Sequence, residues 1–276
     1  MNLVFASVIL AHILADFYFQ TTKMAVSIEK DKSIKSLICH CILYAVSFTI
    51  ILFVCIPLSI NLFILCFLAA GFHFGIDCIK KLVSEDKSQN SFIVWIKNHK
   101  FILDQCLHLL SLTMFYMALE KNLSVNPFIE NDIPFLPVLP AKPILIILGI
   151  LLILRPVGIL IEKGELWDFK EKNKETSQHI FSFSVTAQNV TEKSDEKKQN
   201  AGKMIGYLER VIVFFFLLYH QYGSIAFILT AKSVARFKEI EQNKLRASDY
   251  LIGTLLSVSS VFLIMLFLGL MGKPPL

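Results

Sequence analysis

Seven uninterrupted apolar runs organise this 276-residue sequence, each near the roughly 20 residues an α-helix needs to cross about 30 Å of hydrocarbon. They fall at residues 2–21, 37–58, 60–79, 101–119, 143–161, 211–231 and 250–271. Strands of a transmembrane barrel would alternate apolar and polar residues over about 10 positions, and these runs do not alternate. The expected fold is therefore all-α: a polytopic transmembrane helical bundle of about seven membrane segments. A content of 55% hydrophobic residues, a mean hydropathy of +0.61 and 24 Phe agree, being too apolar for a single wetted globule.

The first run lacks a basic leader and a small-residue cleavage site, and it carries His12, Asp16 and Gln20, so it reads as a retained span. Six cysteines (Cys39, Cys41, Cys55, Cys66, Cys78, Cys106) lie in or at the ends of apolar runs, where small buried filler is the ordinary role and no disulfide framework is expected. The net charge of +5 comes from loop lysines and arginines. It reports orientation, and no basic stripe interleaved with aromatics suggests nucleic acid.

Basic residues favour cytoplasmic loops. The lysine-rich segments 23–35 and 80–100 are placed in the cytoplasm, the N-terminus and the proline-rich segment 127–140 outside, and the polar segment 164–203 in the cytoplasm as a mobile loop in which 180–185 docks locally. Past residue 211 the alternation fails, because Lys232, Arg236, Lys238, Lys244 and Arg246 would lie outside if 211–231 crossed once. A re-entrant helical hairpin turning near His220, Gln221, Tyr222 and Gly223 resolves this, and it lays 233–244 along the inner face as an amphipathic helix. The chain then divides into a four-helix bundle (1–121), an outer loop with the fifth span (122–162), a cytoplasmic loop (163–203) and a C-terminal membrane module (204–276).

Ionisable side chains at a helix centre cost at least about 2.5 kcal/mol on insertion, so several of them together need partners or a task. Here they are spaced. His12 and Asp16, His73 and Asp77, and Asp104 and His108 are i, i+4 pairs, each able to point both members at one neighbouring helix. The order His-x-x-x-Asp reverses to Asp-x-x-x-His in the fourth span, which runs the other way. Helical rise puts Asp77 and Asp104 roughly 5–6 Å and Asp16 about 10 Å into the membrane from the cytoplasmic side, with the paired histidines one turn deeper. His40 enters at about 7 Å, with Tyr44 one turn beyond. The first four helices thus gather His12, Asp16, His40, His73, Asp77, Asp104 and His108 in one leaflet. Imidazole with carboxylate suits a divalent metal, zinc first, as one site or two. A proton or cation relay, or simple pairing that holds the helices together, uses the same residues. Arg155, ahead of the kinking Pro156, reads either as a counter-charge for Glu209 or an aspartate, or as a clamp for an anionic substrate group.

The motifs Ala11-His12-x-x-Ala15-Asp16-Phe17-x-x-Gln20, His73-Phe74-x-Ile76-Asp77 and Leu103-Asp104-Gln105-x-x-His108 resemble a bacterial family of multi-spanning membrane proteins known as domain of unknown function three-three-zero-seven. The stretches Gly202-x-x-Ile205-Gly206-x-Leu208-Glu209-Arg210, Ala231-Lys232-Ser233-x-x-Arg236-Phe237 and Tyr250-Leu251-Ile252-Gly253-Thr254-Leu255-x-Ser257 are similar to the same family. The resemblance implies an inner-membrane protein and brings no reaction with it. In the C-terminal stretches Gly202, Gly206, Ser224, Ala226, Gly253 and Ser257 would let helices approach closely.

The functional expectation is a metal-dependent hydrolase acting on a small or lipid-borne substrate, with Asp16 or Asp104 as catalytic base. A divalent-cation or proton transporter is the alternative, and a structural or signalling membrane partner the second alternative. Membrane lipid and the substrate are the expected partners, with oligomers allowed.

Overall fold

The computed structural model describes residues 3–29, 33–85, 91–127, 143–163, 192–241 and 247–272. Among them every regular element is helical: α1 (Leu3–Ile13) running on as a π-helix (Leu14–Phe19), α2 (Thr22–Glu29), α3 (Ile34–Cys55), α4 (Ile60–Glu85), α5 (Ser91–Asn98), α6 (Lys100–Leu119) closed by a 3₁₀ turn (Glu120–Asn122), α7 (Pro143–Lys163), α8 (Glu192–Leu218), α9 (Tyr222–Glu241) and α10 (Ala247–Gly272). Among the described residues five helical segments, Ile34–Cys55, Ile60–Val83, Lys100–Asn122, Pro143–Ile161 and Tyr250–Met271, are long and apolar enough to cross a membrane, and Leu3–Phe19 is a shorter apolar helix. The all-α helical bundle expected from the run lengths is what forms.

The chain makes two compact units, residues 1–151 with 268–276, and residues 152–267. In the first, α1 packs on α3 and α6, α3 packs on α4, and α4 packs on α6. The two faces of α3 show what drives this. Ile38, Ile42, Val46, Ile50 and Val54 recur every fourth residue on an exposed stripe, while Leu37, His40, Tyr44, Ser47, Phe48, Leu52 and Cys55 are buried. An apolar outer stripe around a partly polar inner one is the arrangement for a helix whose solvent is lipid. The ends of α3 are closed by side chains: the Ser36 amide donates to Ser33 Oγ at 3.3 Å, and Asn126 donates from its backbone N to Cys55 O at 2.9 Å and from Nδ2 to Val54 O at 2.6 Å. The lysine-rich segments read as loops hold short helices, α2 and α5, and α5 leaves Phe92 and Trp95 exposed.

In the second unit the run 211–231 is broken into two helices. α8 ends in a Schellman turn, with Gln221 N donating to Phe216 O at 2.8 Å and His220 N to Leu217 O at 3.1 Å. His220 takes the left-handed conformation, φ 54°, that the turn requires and that glycine usually fills. α9 returns alongside α8, and Lys232 reaches Glu209 at 2.6 Å, the two residues lying at nearly equal distance from the turn, as antiparallel helices demand. The turn falls at His220 and Gln221, where the charge pattern places it, and 233–241 continues α9 rather than forming a separate helix. Residues 192–203, taken from sequence as loop, are the first turns of α8. The segments 128–142 and 164–191, with the 180–185 patch, lie outside the described residues.

Candidate metal centre

Each i, i+4 pair of the first unit points both members inward, toward neighbouring helices, as its spacing predicts. His12 and Asp16 face α3, where His12 Nδ1 meets Tyr44 Oη at 3.2 Å and Asp16 Oδ1 meets His40 Nε2 at 3.2 Å. Tyr44 and His40 are themselves four apart, in the reverse order of an antiparallel partner. Asp16 sits in the π-helical stretch, a geometry frequent at functional sites, and its carboxylate reaches across to three other helices, α3, α4 and α6.

His73 and Asp77 come in from α4. His73 Nε2 lies 3.2 Å from His40 Nε2, Asp77 Oδ2 lies 3.3 Å from His73 Nε2, and the same oxygen lies 3.4 Å from His40 Nε2. These three atoms form a nearly equilateral triangle. Asp16 Oδ1 completes the group at 3.2 Å from His40 Nε2 and 3.9 Å from His73 Nε2. A tetrahedral ion bound at about 2.0–2.1 Å holds its donors about 3.3 Å apart, so the spacing fits a first-row divalent metal with imidazole and carboxylate ligands. The donors are also poorly satisfied by one another: Asp77 Oδ2 is fully buried yet makes no hydrogen bond.

Asp104 and His108 enter from α6 beside this group. Asp104 Oδ1 faces His108 Nε2 at 3.5 Å, and His108 Nε2 lies 4.0 Å from Asp77 Oδ1. Both Asp104 Oδ1 and His108 Nε2 are buried without a hydrogen bond. The other oxygen of Asp104 accepts from Lys80 Nζ at 2.7 Å and from Gln105 Nε2 at 3.2 Å, and Gln105 Nε2 also donates to Asp16 Oδ2 at 3.3 Å. Rings form the deeper wall: Tyr44 stacks on His73 with centroids 3.6 Å apart, and His73 stacks on His108 at 4.3 Å.

Two overlapping donor sets result, Asp16 with His40 and His73, and His73 with Asp77 and His108. All seven residues read from sequence meet at one place, but their positions are unequal. His12 is set back, bonded to Tyr44 and edge-on to His73. Arg155 is an exposed residue of α7 and belongs to the second unit. Glu209, its suggested counter-charge, is held by Lys232.

Two contributors escaped the sequence reading. Lys80 falls at the start of a lysine-rich segment that reports orientation, yet it follows Asp77 by three residues and so shares its helix face. Gln105 was part of a motif without a role, because nothing in a single sequence says that α6 places it between Asp16 and Asp104.

Residues 4–133 match the model of a family described as protein of unknown function, DUF3307. The matched stretch holds all seven His and Asp residues, together with Lys80 and Gln105, and stops short of Arg155 and the C-terminal stretches. No curated protein and no solved structure matches the chain.

Proposed function

We propose that this protein is a metal-dependent hydrolase of the bacterial inner membrane, with its metal held by His40, His73, Asp77 and Asp16 near the cytoplasmic leaflet. The observation that carries this is the buried triangle of His40 Nε2, His73 Nε2 and Asp77 Oδ2, with sides of 3.2–3.4 Å and no hydrogen bond to Asp77 Oδ2. One proton on His40 Nε2 can serve only one of the acceptors around it, whereas a cation at the centre serves all of them.

Charge points the same way. With the imidazoles neutral, three carboxylates (Asp16, Asp77, Asp104) face one ammonium (Lys80), an excess of two negative charges. Uncompensated buried charge costs several kcal/mol per group, and one divalent ion offsets the excess. Zinc suits the donor set best.

A bound divalent ion supplies Lewis acidity and a water made acidic enough to attack near neutral pH. The residues divide the other tasks. Gln105 orients the outer oxygens of Asp16 and Asp104, and the Tyr44 and His108 rings fix the His73 plane from both sides. Asp16, engaged through Oδ1 with the donor group and through Oδ2 with Gln105, and Asp104, which accepts from Lys80 and Gln105 through Oδ2, hold their neighbours in place. Lys80 offers an ammonium to an anionic group of a small or lipid-borne substrate.

Metal analysis of the detergent-purified full chain, with product release from a bacterial lipid extract, tests the reading. Bound metal and product release, both lost in His40→Ala, support it. Metal flux into vesicles without any product would make the protein a transporter instead.

A further inference from the structure

The two oxygens of Asp77 face different partners. Oδ2 lies 3.4 and 3.3 Å from His40 and His73 Nε2, while Oδ1 lies 4.0 Å from His108 Nε2. His108 Nε2 in turn lies 3.5 Å from Asp104 Oδ1. We infer that Asp77 bridges two metal ions, the second held by Asp77 Oδ1, His108 and Asp104. This inference rests on the metal reading of the first site.

Three observations lead to it. First, Asp104 Oδ1 and His108 Nε2 are fully buried without hydrogen bonds, and their residues are 5% and 2% exposed. Buried polar atoms in folded proteins are nearly always satisfied, and these two, 3.5 Å apart on one helix and short of a hydrogen bond, are placed to share a cation. Second, His108 can ligate through Nε2 alone there, and Asp104 keeps Oδ2 occupied by Lys80 and Gln105, which leaves Oδ1 as its one donor toward that space. Third, a carboxylate that gives one oxygen to each of two donor sets is the usual bridge in two-metal hydrolytic sites, whose ions lie about 3.5–4 Å apart.

Charge sets the order of filling. The first divalent ion neutralises the cluster, so the second makes it cationic and binds more weakly until an anion or hydroxide joins it. The substrate class narrows accordingly to anionic groups able to span two ions, phosphate esters first. Lys80, on the outer oxygen of Asp104, stands where it would meet such an anion.

Manganese titration of the purified full chain reads this out by elemental analysis and by electron paramagnetic resonance. Two ions per chain with an exchange-coupled signal are expected. Asp104→Asn, nearly isosteric, should lower the count from two to one and abolish coupling while the tighter ion stays, and His108→Ala should do the same. One uncoupled ion per chain in the unaltered protein, unchanged by Asp104→Asn, would overturn the bridge, with the Lys80 ammonium serving as the second cation, and would leave the first site standing. Two uncoupled ions would also overturn it, by placing the second ion elsewhere. No ion at all would instead remove the underlying metal reading.

Discussion

His40 and His73, carried by different helices, point Nε2 at Nε2 across 3.2 Å, while the Nδ1 atom of each is buried without a partner. A hydrogen bond between two neutral imidazoles would satisfy one nitrogen of each ring and still leave Asp16 and Asp77 competing for the same proton. A metal ion would hold both rings through Nε2 and leave both Nδ1 atoms as N–H donors. His40→Ala and His73→Ala are each expected to remove most of the bound metal. Tyr44→Phe, which keeps the stack on His73 and loses only the hydroxyl on His12, should weaken binding about 10-fold or less. Elemental analysis after dialysis at graded chelator concentrations separates the two effects, and equal losses in all three variants would refute the division of roles.

The pair Glu209–Lys232 ties α8 to α9 at 2.6 Å, with both side chains about one-fifth exposed. Antiparallel helices place Lys203 and Lys238 at the same end of the hairpin. Cysteines introduced at these two positions should label from the same side of the membrane, expected to be the cytoplasm. Labelling from opposite sides would mean that the hairpin opens into a span in the bilayer. Lys232→Met strands the carboxylate of Glu209, and a loss of about 1–3 kcal/mol in stability is expected.

Close helix contact in the second unit occurs at Gly158, where an added Cβ would meet Tyr207 Cε1 at 3.0 Å and Arg210 Nη2 at 3.5 Å. There Arg210, buried, donates from Nε to Ile153 O at 2.7 Å, beside the gap that Pro156 opens in the α7 hydrogen-bond ladder. Gly158→Val should therefore lower the melting temperature clearly. Gly202→Ala, with nothing within 4 Å of its Cβ position, should leave it unchanged or slightly raised. Equal behaviour of the two variants would show that α7 and α8 do not meet this closely.

These cases show what one sequence can carry. The helical class follows from run length, and the meeting of the His and Asp side chains follows from spacing, because four residues are one helical turn and a polar stripe on a lipid-bathed helix has to face inward. His40 and Tyr44 fall on the buried stripe of α3 for that reason. Gly202 and Gly253 were read as contact points and meet nothing within 4 Å, whereas Gly158 went unread. Small size permits approach without saying which neighbour arrives. The π-helical turn at Leu14–Phe19 was equally invisible, since the wider turn keeps the same residues and changes only which helix Asp16 reaches.

Gln105 gives the sharpest test of how the carboxylates are held. Its Nε2 donates to Asp16 Oδ2 at 3.3 Å and to Asp104 Oδ2 at 3.2 Å, so one amide sets the orientation of two side chains from different helices. The amide can point only one way there, because its carbonyl oxygen would otherwise face two carboxylates. Gln105→Leu removes both bonds at similar volume, and metal affinity should fall about 10- to 100-fold with the ligands intact. Gln105→Glu replaces the donor with a third carboxylate at the same distance from the other two. The metal-free protein should then melt at a lower temperature than the unaltered chain, through like-charge repulsion in a buried site, and added divalent ion should restore a larger share of the loss than it does for Gln105→Leu. Melting curves for both variants, with and without metal, decide the matter: if the two lose stability equally and metal rescues neither, Gln105 only fills space between α1 and α6.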